Sequence, residues 1–315
     1  MSLASKRSIL QERALAFQKV RSFFSKKNVL EVDTPLLSKT APIDEHIDIM
    51  TVQIDPHSLG YLHSSPEYAM KRLLSLDSGD IFQMSHVFRQ GEHSPRHNPE
   101  FTMVEWYRIQ MPFVSFIEET ADFIELFLGK MPRTLLSYRK AFFLYTGIDY
   151  LYASKEDLIK RLQKENIEIS TASSWDKEGL LHLIMGCLIE PHLGKNELLI
   201  LTDYPASQAS LAQIENKEGE MVAKRFEIYH QGIELANGYL ELIDAAQQKK
   251  RLLEASSQRT LAGKDPLPID EKFLEALKAG IPPCCGVAVG FDRLLMLQSN
   301  SKDIKQVLAF SWDEL

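Results

Sequence analysis

The stretch that most constrains the fold of this chain is residues 81–108, IFQMSHVFRQGEHSPRHNPEFTMVEWYR. Its two ends, residues 81–89 and 101–107, favour β-strands because they carry apolar, aromatic and β-branched side chains. The segment between them is rich in turn-forming and basic residues, namely Gly91, His93, Pro95, Arg96, His97 and Pro99. The sequence therefore predicts two strands joined by a polar, basic loop, and such a loop is either a solvated turn or a binding site.

The side chains at the two ends of this loop suit a nucleotide. Arg89 ends the first predicted strand, and its guanidinium can donate two parallel hydrogen bonds to a phosphate. Phe101 begins the second strand, where its ring can stack on a base. Taken alone, the hairpin leaves the nucleotide site and the solvated turn equally open.

Charge is distributed unevenly along the 315 residues. The formal net charge is −7, which provides no overall basic field for nucleic acid. Residues 1–27 nevertheless carry seven basic side chains and one acid, or +6, which leaves about −13 for the remainder. This basic segment, which includes Lys19 and Arg21, predicts either a solvated helix face or a docking surface for an acidic partner.

Composition and cysteine content indicate a globular intracellular protein. The chain is 44% hydrophobic and 25% charged, and no apolar run is long enough for a signal peptide or a membrane span. Cys187, Cys284 and Cys285 form neither a disulfide framework nor a zinc motif. His93 and His97 lie four residues apart, but Pro95 between them disfavours a helical metal pair. We expect a cytoplasmic location.

Hydrophobic periodicity and breakers predict an α+β fold with an antiparallel sheet flanked by helices. The predicted helices are residues 5–27, 66–74, 113–128, 244–261 and 270–278, with Ser64 or Ser65 capping the second. The predicted strands are a short one in residues 28–38 that runs into Pro35, one that begins at Tyr61 and turns into the second helix, and residues 81–89, 101–107, 198–202 and 225–229. Residues 130–197 are predicted to form helices and loops.

The common phosphate-binding loops are absent, since the chain contains neither GxxxxGK[ST] nor GxGxxG. Three separate segments instead fit a nucleotide together. The hairpin supplies Arg89, and residues 232–241 supply Glu234 and Glu241, two carboxylates of the kind that hold Mg²⁺. Residues 286–293 run from small side chains into Asp292 and Arg293 at the start of an apolar helix.

These segments resemble motifs 1, 2 and 3 of the class II aminoacyl-tRNA synthetases. The matching stretches are VLEVDTPLL, FRQGE with HNPEFTMVEWY, and GVAVGFDR. SPEYAMKRLL and GIELANGYLEL resemble the lysyl enzymes of subclass b, and PASQASLAQI is similar to truncated paralogues that ligate (R)-β-lysine to elongation factor P. The resemblance extends from about residue 5 to residue 313.

The resemblance implies a fold and a domain organisation. We expect the class II synthetase catalytic fold, with a helical insertion at about residues 112–197 between motifs 2 and 3. Motif 1 begins by residue 30, so a single catalytic domain over residues 1–315 without an anticodon-binding domain is expected. Motif 1 surfaces pair in this family, which implies a homodimer.

The resemblance also implies an ATP site and its magnesium. The implied ATP-binding residues are Arg89, Gly91, Glu92, Asn98, Phe101, Glu234, Leu235, Gly290 and Arg293. Arg89 and Arg293 are implied to act on the phosphates during catalysis, and Glu234 and Glu241 are implied to hold Mg²⁺. The loop carboxylate of Glu92 stands one position later than the family pattern Arg-x-Glu.

An amino-acid pocket for (R)-β-lysine or lysine is implied as well. Its residues are Ser65, Pro66, Glu67, Glu105, Tyr107, Glu241 and Ala288. Carboxylates suit a diamino substrate because buried ammonium groups need paired acceptors. Ala288 stands where lysyl enzymes commonly have glycine, and the added methyl is expected to alter the preference between α- and β-lysine.

Three functions remain open at this point. The first is ATP-dependent activation of (R)-β-lysine or lysine and its transfer to a lysine of elongation factor P, with tRNA not expected as a partner. The second is a minimal lysyl-tRNA synthetase-like enzyme. The third is a non-catalytic, synthetase-like binding module.

Overall fold

Nine α-helices and twelve β-strands are described in residues 3–168 and 175–315 of the computed structural model. In chain order the helices are α1 (Leu3–Ser25), α2 (Glu67–Leu74), α3 (Phe113–Leu128), α4 (Tyr138–Thr146), α5 (Lys155–Lys164), α6 (Lys177–Ile184), α7 (Ala245–Leu261), α8 (Glu271–Ala279) and α9 (Phe291–Gln298). The strands are β1 (Leu30–Glu31), β2 (Leu37–Ser38), β3 (Thr51–Asp55), β4 (Ser58–Leu62), β5 (Ile81–Phe88), β6 (Glu100–Ile109), β7 (Arg133–Ser137), β8 (Leu198–Pro205), β9 (Ile214–Lys217), β10 (Glu220–His230), β11 (Ile233–Leu240) and β12 (Cys284–Gly290). The chain divides into a first unit, residues 1–129 and 240–315, and a second unit, residues 130–239.

The predicted hairpin forms the centre of the first unit's main sheet. Its strands β5 and β6 are antiparallel, and the strand order in this unit is β1-β5-β6-β12. Strand β12 is antiparallel to β6, whereas the short β1 is parallel to β5. Alternate side chains of a strand point to opposite faces, so β6 separates two environments.

One face of this sheet is packed against helices. Trp106 of β6 is fully buried against Phe24 of α1 and Phe123 of α3, with ring centroids 5.2 and 5.1 Å apart. Phe17 of α1 stacks on Phe291 of α9 at 4.9 Å. These aromatic contacts explain why the apolar stripe of α1 faces inward, and they leave the opposite face of β6 for polar residues.

A smaller sheet and two helices complete the first unit. Strands β2, β4 and β3 form an antiparallel sheet in that order. Helix α2 packs against α8, where Tyr68 stacks on Phe273 at 4.4 Å. The predicted cap by Ser64 or Ser65 was wrong, because the N-cap residue of α2 is Pro66 and no side chain caps the helix. The Ser65 hydroxyl instead accepts a hydrogen bond from the Glu67 N–H at 3.0 Å.

In its described residues, the second unit contains five strands and a core of its own. Its strands lie in the order β11-β10-β8-β7, with β9 paired to β10, and only β7 and β8 are parallel. Helices α4, α5 and α6 cover a buried cluster that includes Tyr138, Phe142, Leu158 and Leu181. A π-helical turn, Met185–Ile189, continues α6.

The predicted α+β architecture, an antiparallel sheet flanked by helices, is confirmed. The single domain with an insertion at about residues 112–197 stays a prediction, and residues 169–174 of that stretch lie outside the described residues. In the described part of the chain, no helix is long and apolar enough to cross a membrane.

Several local predictions were wrong. Within residues 28–38 a short strand running into Pro35 was predicted, but β1 ends at Glu31, and the Thr34 N–H donates to the Gln83 side chain at 3.1 Å. Strand β2, which follows Pro35, belongs to a different sheet and was not predicted. Strands β3, β7, β9, β11 and β12 were not predicted, whereas the strand predicted to begin at Tyr61 overlaps the end of β4. These strands are short or contain glycine, so their periodicity is weak.

Candidate active site

The polar face of the β5-β6-β12 sheet carries the predicted amino-acid pocket. Glu105 of β6 lies directly between Gln83 of β5 and Ala288 of β12 in the strand register. Two residues further along, Tyr107 lies opposite Gly286. Side chains of directly opposed residues share a face, so the sheet brings Glu105, Tyr107 and Ala288 together as predicted.

Hydrogen bonds fix the orientation of Glu105. Its Oε2 accepts from the Ser65 hydroxyl at 2.7 Å, and its Oε1 accepts from the Tyr107 hydroxyl at 2.7 Å. Ser65 precedes Pro66 at the start of α2, so the helix N-terminus and the sheet meet at this carboxyl group. Glu105 is 2% exposed, and its two oxygens are therefore held by protein donors rather than by bulk water.

A second carboxyl pair is joined by a lysine that the sequence analysis did not identify. Lys71 lies on α2 four residues after Glu67 and donates to its Oε1 at 2.6 Å. The same ammonium lies 2.5 Å from Oε2 of Glu241. Lys71 and Glu241 are both almost fully buried. The i,i+4 spacing of Glu67 and Lys71 on a predicted helix is the sequence signal from which this pair could have been predicted.

Burial shifts the pKa values of this cluster. Burial, with the negative charge of Glu67, raises the pKa of Glu105 to about 7. Burial also raises the pKa of Glu241, against the attraction of the Lys71 ammonium. For Lys71, burial alone would lower the pKa, but Glu241 and Glu67 outweigh it and raise the pKa. With all four groups ionised, three carboxylates face one ammonium, and the pocket carries a net charge of −2.

Gly286 is required by the close approach of Tyr107 and Glu241. A Cβ built on Gly286 would lie 2.3 Å from Oε1 of Glu241 and 2.4 Å from Cε1 of Tyr107. Neither neighbour has room to withdraw, because both are buried. The glycine-rich stretch before Arg293 thus supports the amino-acid pocket, a role that the sequence analysis did not give to Gly286.

Arg89 lies at the other end of the hairpin. Its guanidinium carbon is 5.1 Å from the centre of the Phe101 ring, and its Nη1 is 3.5 Å from Oε1 of Glu92. Its Nε is buried and has no hydrogen-bond partner among the described residues. A buried donor without a partner costs free energy, so this atom indicates a ligand acceptor such as a phosphate or carboxylate oxygen. Gly91 adopts φ +79°, which permits the turn after Arg89.

Arg293 is held by a histidine of the same loop. Its Nη2 donates to Nε2 of His97 at 2.6 Å, and Nδ1 of His97 lies 2.7 Å from the Ser94 hydroxyl. Burial and the nearby Arg293 charge lower the pKa of His97, so the ring is neutral at pH 7. Nε2 therefore accepts and Nδ1–H donates. Gly290 precedes α9, and a Cβ there would make only ordinary contact with Arg293, at 3.6 Å.

The amide of Asn98 is used within the protein. Its Nδ2 donates to the Glu100 carbonyl at 2.7 Å, and its Oδ1 accepts from the Trp312 N–H at 3.0 Å. Asn98 is 7% exposed. Its predicted contact with the nucleotide stays a prediction, and the structure gives this side chain a role in holding the loop.

The model of class II tRNA synthetases (D, K and N) matches residues 2–314 of this chain. The chain belongs to this family. A relative from Avibacterium paragallinarum, named elongation factor P–(R)-β-lysine ligase, is 42% identical over 96% of this chain and 94% of its own length. Relatives with the same name from Hamiltonella defensa and Salmonella typhi are 39% and 41% identical, over 96% of this chain and 94% and 95% of their own lengths.

Two predicted residues of this class II chain lie in the second unit. Glu234 and the buried Leu235 are on β11, and Glu234 pairs in register with Tyr229 of β10. Glu227 lies two residues before Tyr229 and is a buried carboxylate that the sequence analysis did not identify. Its oxygens accept from Tyr204, Tyr229 and Arg225, each at 2.5 Å.

The carboxylates predicted to hold Mg²⁺ differ in how well they suit a cation. Glu241 already faces the ammonium of Lys71, which occupies the position that a metal ion would need. Its role as a metal ligand stays a prediction, and its ion pair favours the other predicted role in the amino-acid pocket. In the second unit, Glu227 lies two residues from Tyr229, the register partner of Glu234, but Glu227 is already paired with Arg225 and two tyrosine hydroxyls. The role of Glu234 as a magnesium ligand stays a prediction.

Proposed function

We propose that this chain uses ATP to activate (R)-β-lysine or lysine as the aminoacyl-adenylate and transfers it to a lysine side chain of elongation factor P. The observation that carries the proposal is the acidic pocket formed by the half-buried Glu67 of α2 and the buried Glu105 and Glu241. The acceptor comes from the name shared by relatives that are about 40% identical over nearly their whole lengths.

The pocket's charge supports a diamino acid as substrate. When its three carboxyl groups are ionised, the pocket has one ammonium, that of Lys71, and two negative charges without a counter-charge. Two ammonium groups of a lysine isomer would neutralise these charges and favour the ionised forms of Glu105 and Glu241, whereas a neutral side chain would leave burial to keep their pKa values raised. Ala288 lies directly opposite Glu105, where its methyl narrows the pocket beside one of these carboxylates.

The free donor of Arg89 supports the activation step. In the proposed reaction, the substrate carboxylate oxygen attacks the α-phosphorus of ATP, and the bond to the leaving pyrophosphate breaks. Arg89 would donate to the α-phosphate and to the attacking carboxylate, which aligns the two groups. Phe101 lies beneath Arg89 and offers a face for the adenine, and Arg293, oriented by His97, would bind the terminal phosphate.

The second step needs no nucleophile from the protein. The acceptor amine attacks the carbonyl carbon of the mixed anhydride, and an amide bond forms. The bond between this carbon and the phosphate oxygen breaks, and AMP leaves with that oxygen. Mg²⁺, when bound, would neutralise charge on the phosphates. Glu234 would be a ligand of this ion, and Glu241, which is paired with Lys71, would serve the amino-acid pocket.

Parallel acceptor assays test the proposal. The protein is incubated with ATP, Mg²⁺ and labelled (R)-β-lysine or α-lysine, and elongation factor P and total tRNA are offered separately. We expect label on elongation factor P, measured as a mass increase of the intact protein, and none on tRNA. An Ala288→Gly variant assayed in parallel should shift the ratio of the two isomers towards α-lysine by about tenfold, the order that one methyl group provides.

Each other result assigns the chain to an alternative. Label on tRNA alone would make the chain a minimal lysyl-tRNA synthetase-like enzyme. ATP–pyrophosphate exchange that is absent with both isomers would contradict activation altogether and leave a binding module. The Arg89→Lys variant keeps the positive charge but cannot donate two parallel hydrogen bonds. It should therefore reduce the rate of ATP–pyrophosphate exchange by at least about tenfold.

A further inference from the structure

Residues 304–315, here called the tail segment, contact the loop between β5 and β6 at three points. The Ile304 N–H donates to the Pro95 carbonyl at 2.8 Å. The Trp312 N–H donates to Oδ1 of Asn98 at 3.0 Å. Nε2 of His93 lies 3.1 Å from Oδ1 of Asp313. The contacts are spread along the loop, so they restrain its whole length rather than one turn.

The tail segment is itself anchored to the first helix. Nζ of Lys6 on α1 donates to the Ala309 carbonyl at 2.6 Å and lies 2.8 Å from Oε1 of Glu314. The Glu314 carboxylate also accepts from the Ser311 N–H at 3.0 Å. Asp313 pairs with Lys305 within the segment. These bonds give the tail segment a defined conformation from which to hold the loop.

Asn98 is the point at which the restraint reaches the nucleotide residues. It is nearly fully buried, and its amide joins the Glu100 carbonyl at the start of β6 to the tail segment. The next residue before it, His97, accepts the hydrogen bond from Arg293. Asn98 therefore sets the position of the backbone that carries His97.

We propose that the tail segment positions the β5–β6 loop for nucleotide binding, with the Trp312 N–H to Asn98 bond as its principal contact. This inference rests on the proposed function, because it takes His97, Arg293 and Arg89 as nucleotide-binding residues. Trp312 is a positioning residue: its indole is largely exposed, and its contribution is the backbone N–H.

A proline substitution removes this one donor. Residue 312 is the first of a 3₁₀ turn, a position that suits proline, and the preceding Ser311 has the extended backbone, ψ 165°, that a residue before proline prefers. Trp312→Pro should therefore cause no backbone strain. Trp312→Ala is the matched control, since it deletes the larger side chain and keeps the N–H. Asp313→Asn removes the charge facing His93 and serves as a second, milder variant.

The readouts are ATP–pyrophosphate exchange and hydrogen–deuterium exchange of residues 91–98. We expect Trp312→Pro to raise the KM for ATP about fivefold, which corresponds to about 1 kcal/mol. The KM for the amino acid and the kcat should be unchanged, and deuterium uptake in the loop should be faster. Asp313→Asn should raise the KM for ATP about twofold, and Trp312→Ala should match the wild type.

The proposal would be contradicted if residues 91–98 of Trp312→Pro took up deuterium as slowly as those of the wild type. It would also be contradicted if Trp312→Ala raised the KM for ATP and the deuterium uptake as much as Trp312→Pro. Faster deuterium uptake with an unchanged KM for ATP would also contradict it, because the loop would then be released without consequence for the nucleotide. Absence of ATP–pyrophosphate exchange in the wild-type protein would contradict the proposed function instead. Deuterium uptake would still decide whether the tail segment holds the loop.

Discussion

At the scale of single residues, Glu105 illustrates how position alters an ordinary side chain. A glutamate on a strand is usually solvated and ionised at neutral pH. Here the carboxyl group is buried beside Glu67, and its pKa rises to about 7. The group therefore changes its protonation state within the working range of pH, and an ammonium bound against it would favour the ionised form.

The affinity for a diamino acid should consequently depend on pH. As the pH rises from 6.5 to 8.5, Glu105 loses its proton and becomes a better acceptor for an ammonium group. We expect the KM for the amino acid in ATP–pyrophosphate exchange to fall by about three- to tenfold across this range. A Glu105→Gln variant should have a higher KM with little pH dependence, whereas the surface control Glu275→Gln should behave as the wild type.

The same shift predicts an effect on stability that does not depend on activity. The folded-state pKa of about 7 exceeds the ordinary value of 4.5, so the folded protein retains a proton that the unfolded chain releases. The free energy of unfolding should decrease as the pH rises from about 5 to 8. The melting temperature Tm should decrease over the same pH range, and by less in the Glu105→Gln variant than in the wild type. An identical pH profile of Tm in both proteins would contradict the assigned pKa.

At the scale of elements, helix α1 shows that a basic sequence does not translate directly into a basic surface. Three of its cationic side chains, and Lys27 of the turn that follows it, form ion pairs in the first unit. The pairs are Lys6 with Glu314, Arg13 with Asp292, Arg21 with Glu31 and Lys27 with Glu119. Lys19 and Lys26 line a groove of about 960 Å³ beside α1. The part of the predicted docking surface that can serve a partner is therefore narrower than the sequence implies.

Reversing the groove charges tests whether α1 receives an acidic acceptor. We expect the double variant Lys19→Glu and Lys26→Glu to raise the KM for elongation factor P by about tenfold at low salt and less at high salt. ATP–pyrophosphate exchange should be unchanged, because the catalytic sheet is not involved. Lys250→Glu, an exposed reversal on α7, is the control. An unchanged KM for elongation factor P in the double variant would reject the docking role, whereas loss of both activities would indicate misfolding.

At the scale of the whole molecule, the expected homodimer has a candidate contact surface on the small sheet. Leu37 of β2 and Ile54 of β3 are 40% and 53% exposed. Both lie over Gly60, where a built Cβ would be 2.7 Å from Leu37 and 3.0 Å from Ile54. Leu37 belongs to the motif 1 segment whose surfaces pair in this family, so we propose that this apolar patch faces a second copy of the chain.

A charge placed in this patch should separate the dimer. Ile54→Asp would bury a carboxylate without a partner, and we expect it to weaken association at least about a hundredfold, enough to yield a monomer by light scattering at micromolar concentration. Leu261→Asp, at an exposed position of α7, should leave the mass unchanged. If the Ile54→Asp variant is still a dimer, this patch is not the contact surface. If the wild-type protein is a monomer, the homodimer itself is contradicted.

The sequence by itself determined the features whose causes are local. The hairpin with Arg89 and Phe101, the apolar stripe of α1 and the termination of α3 at Gly129 all follow from side-chain periodicity and turn residues. The family motifs placed Glu105, Tyr107 and Ala288 in one pocket, and the strand register agrees. Their roles in binding stay predictions.

Only the tertiary structure decided the contacts between residues that are distant in the sequence. The Lys71–Glu241 ion pair, the clearance that Gly286 leaves for Tyr107, and the Asn98–Trp312 bond each join separate elements. No periodicity encodes such contacts, because they depend on how strands align and how helices pack across the sheet. For the same reason the sequence did not identify Lys71 as a buried counter-ion or the hydrogen bond of Asn98, a predicted nucleotide ligand, to Trp312.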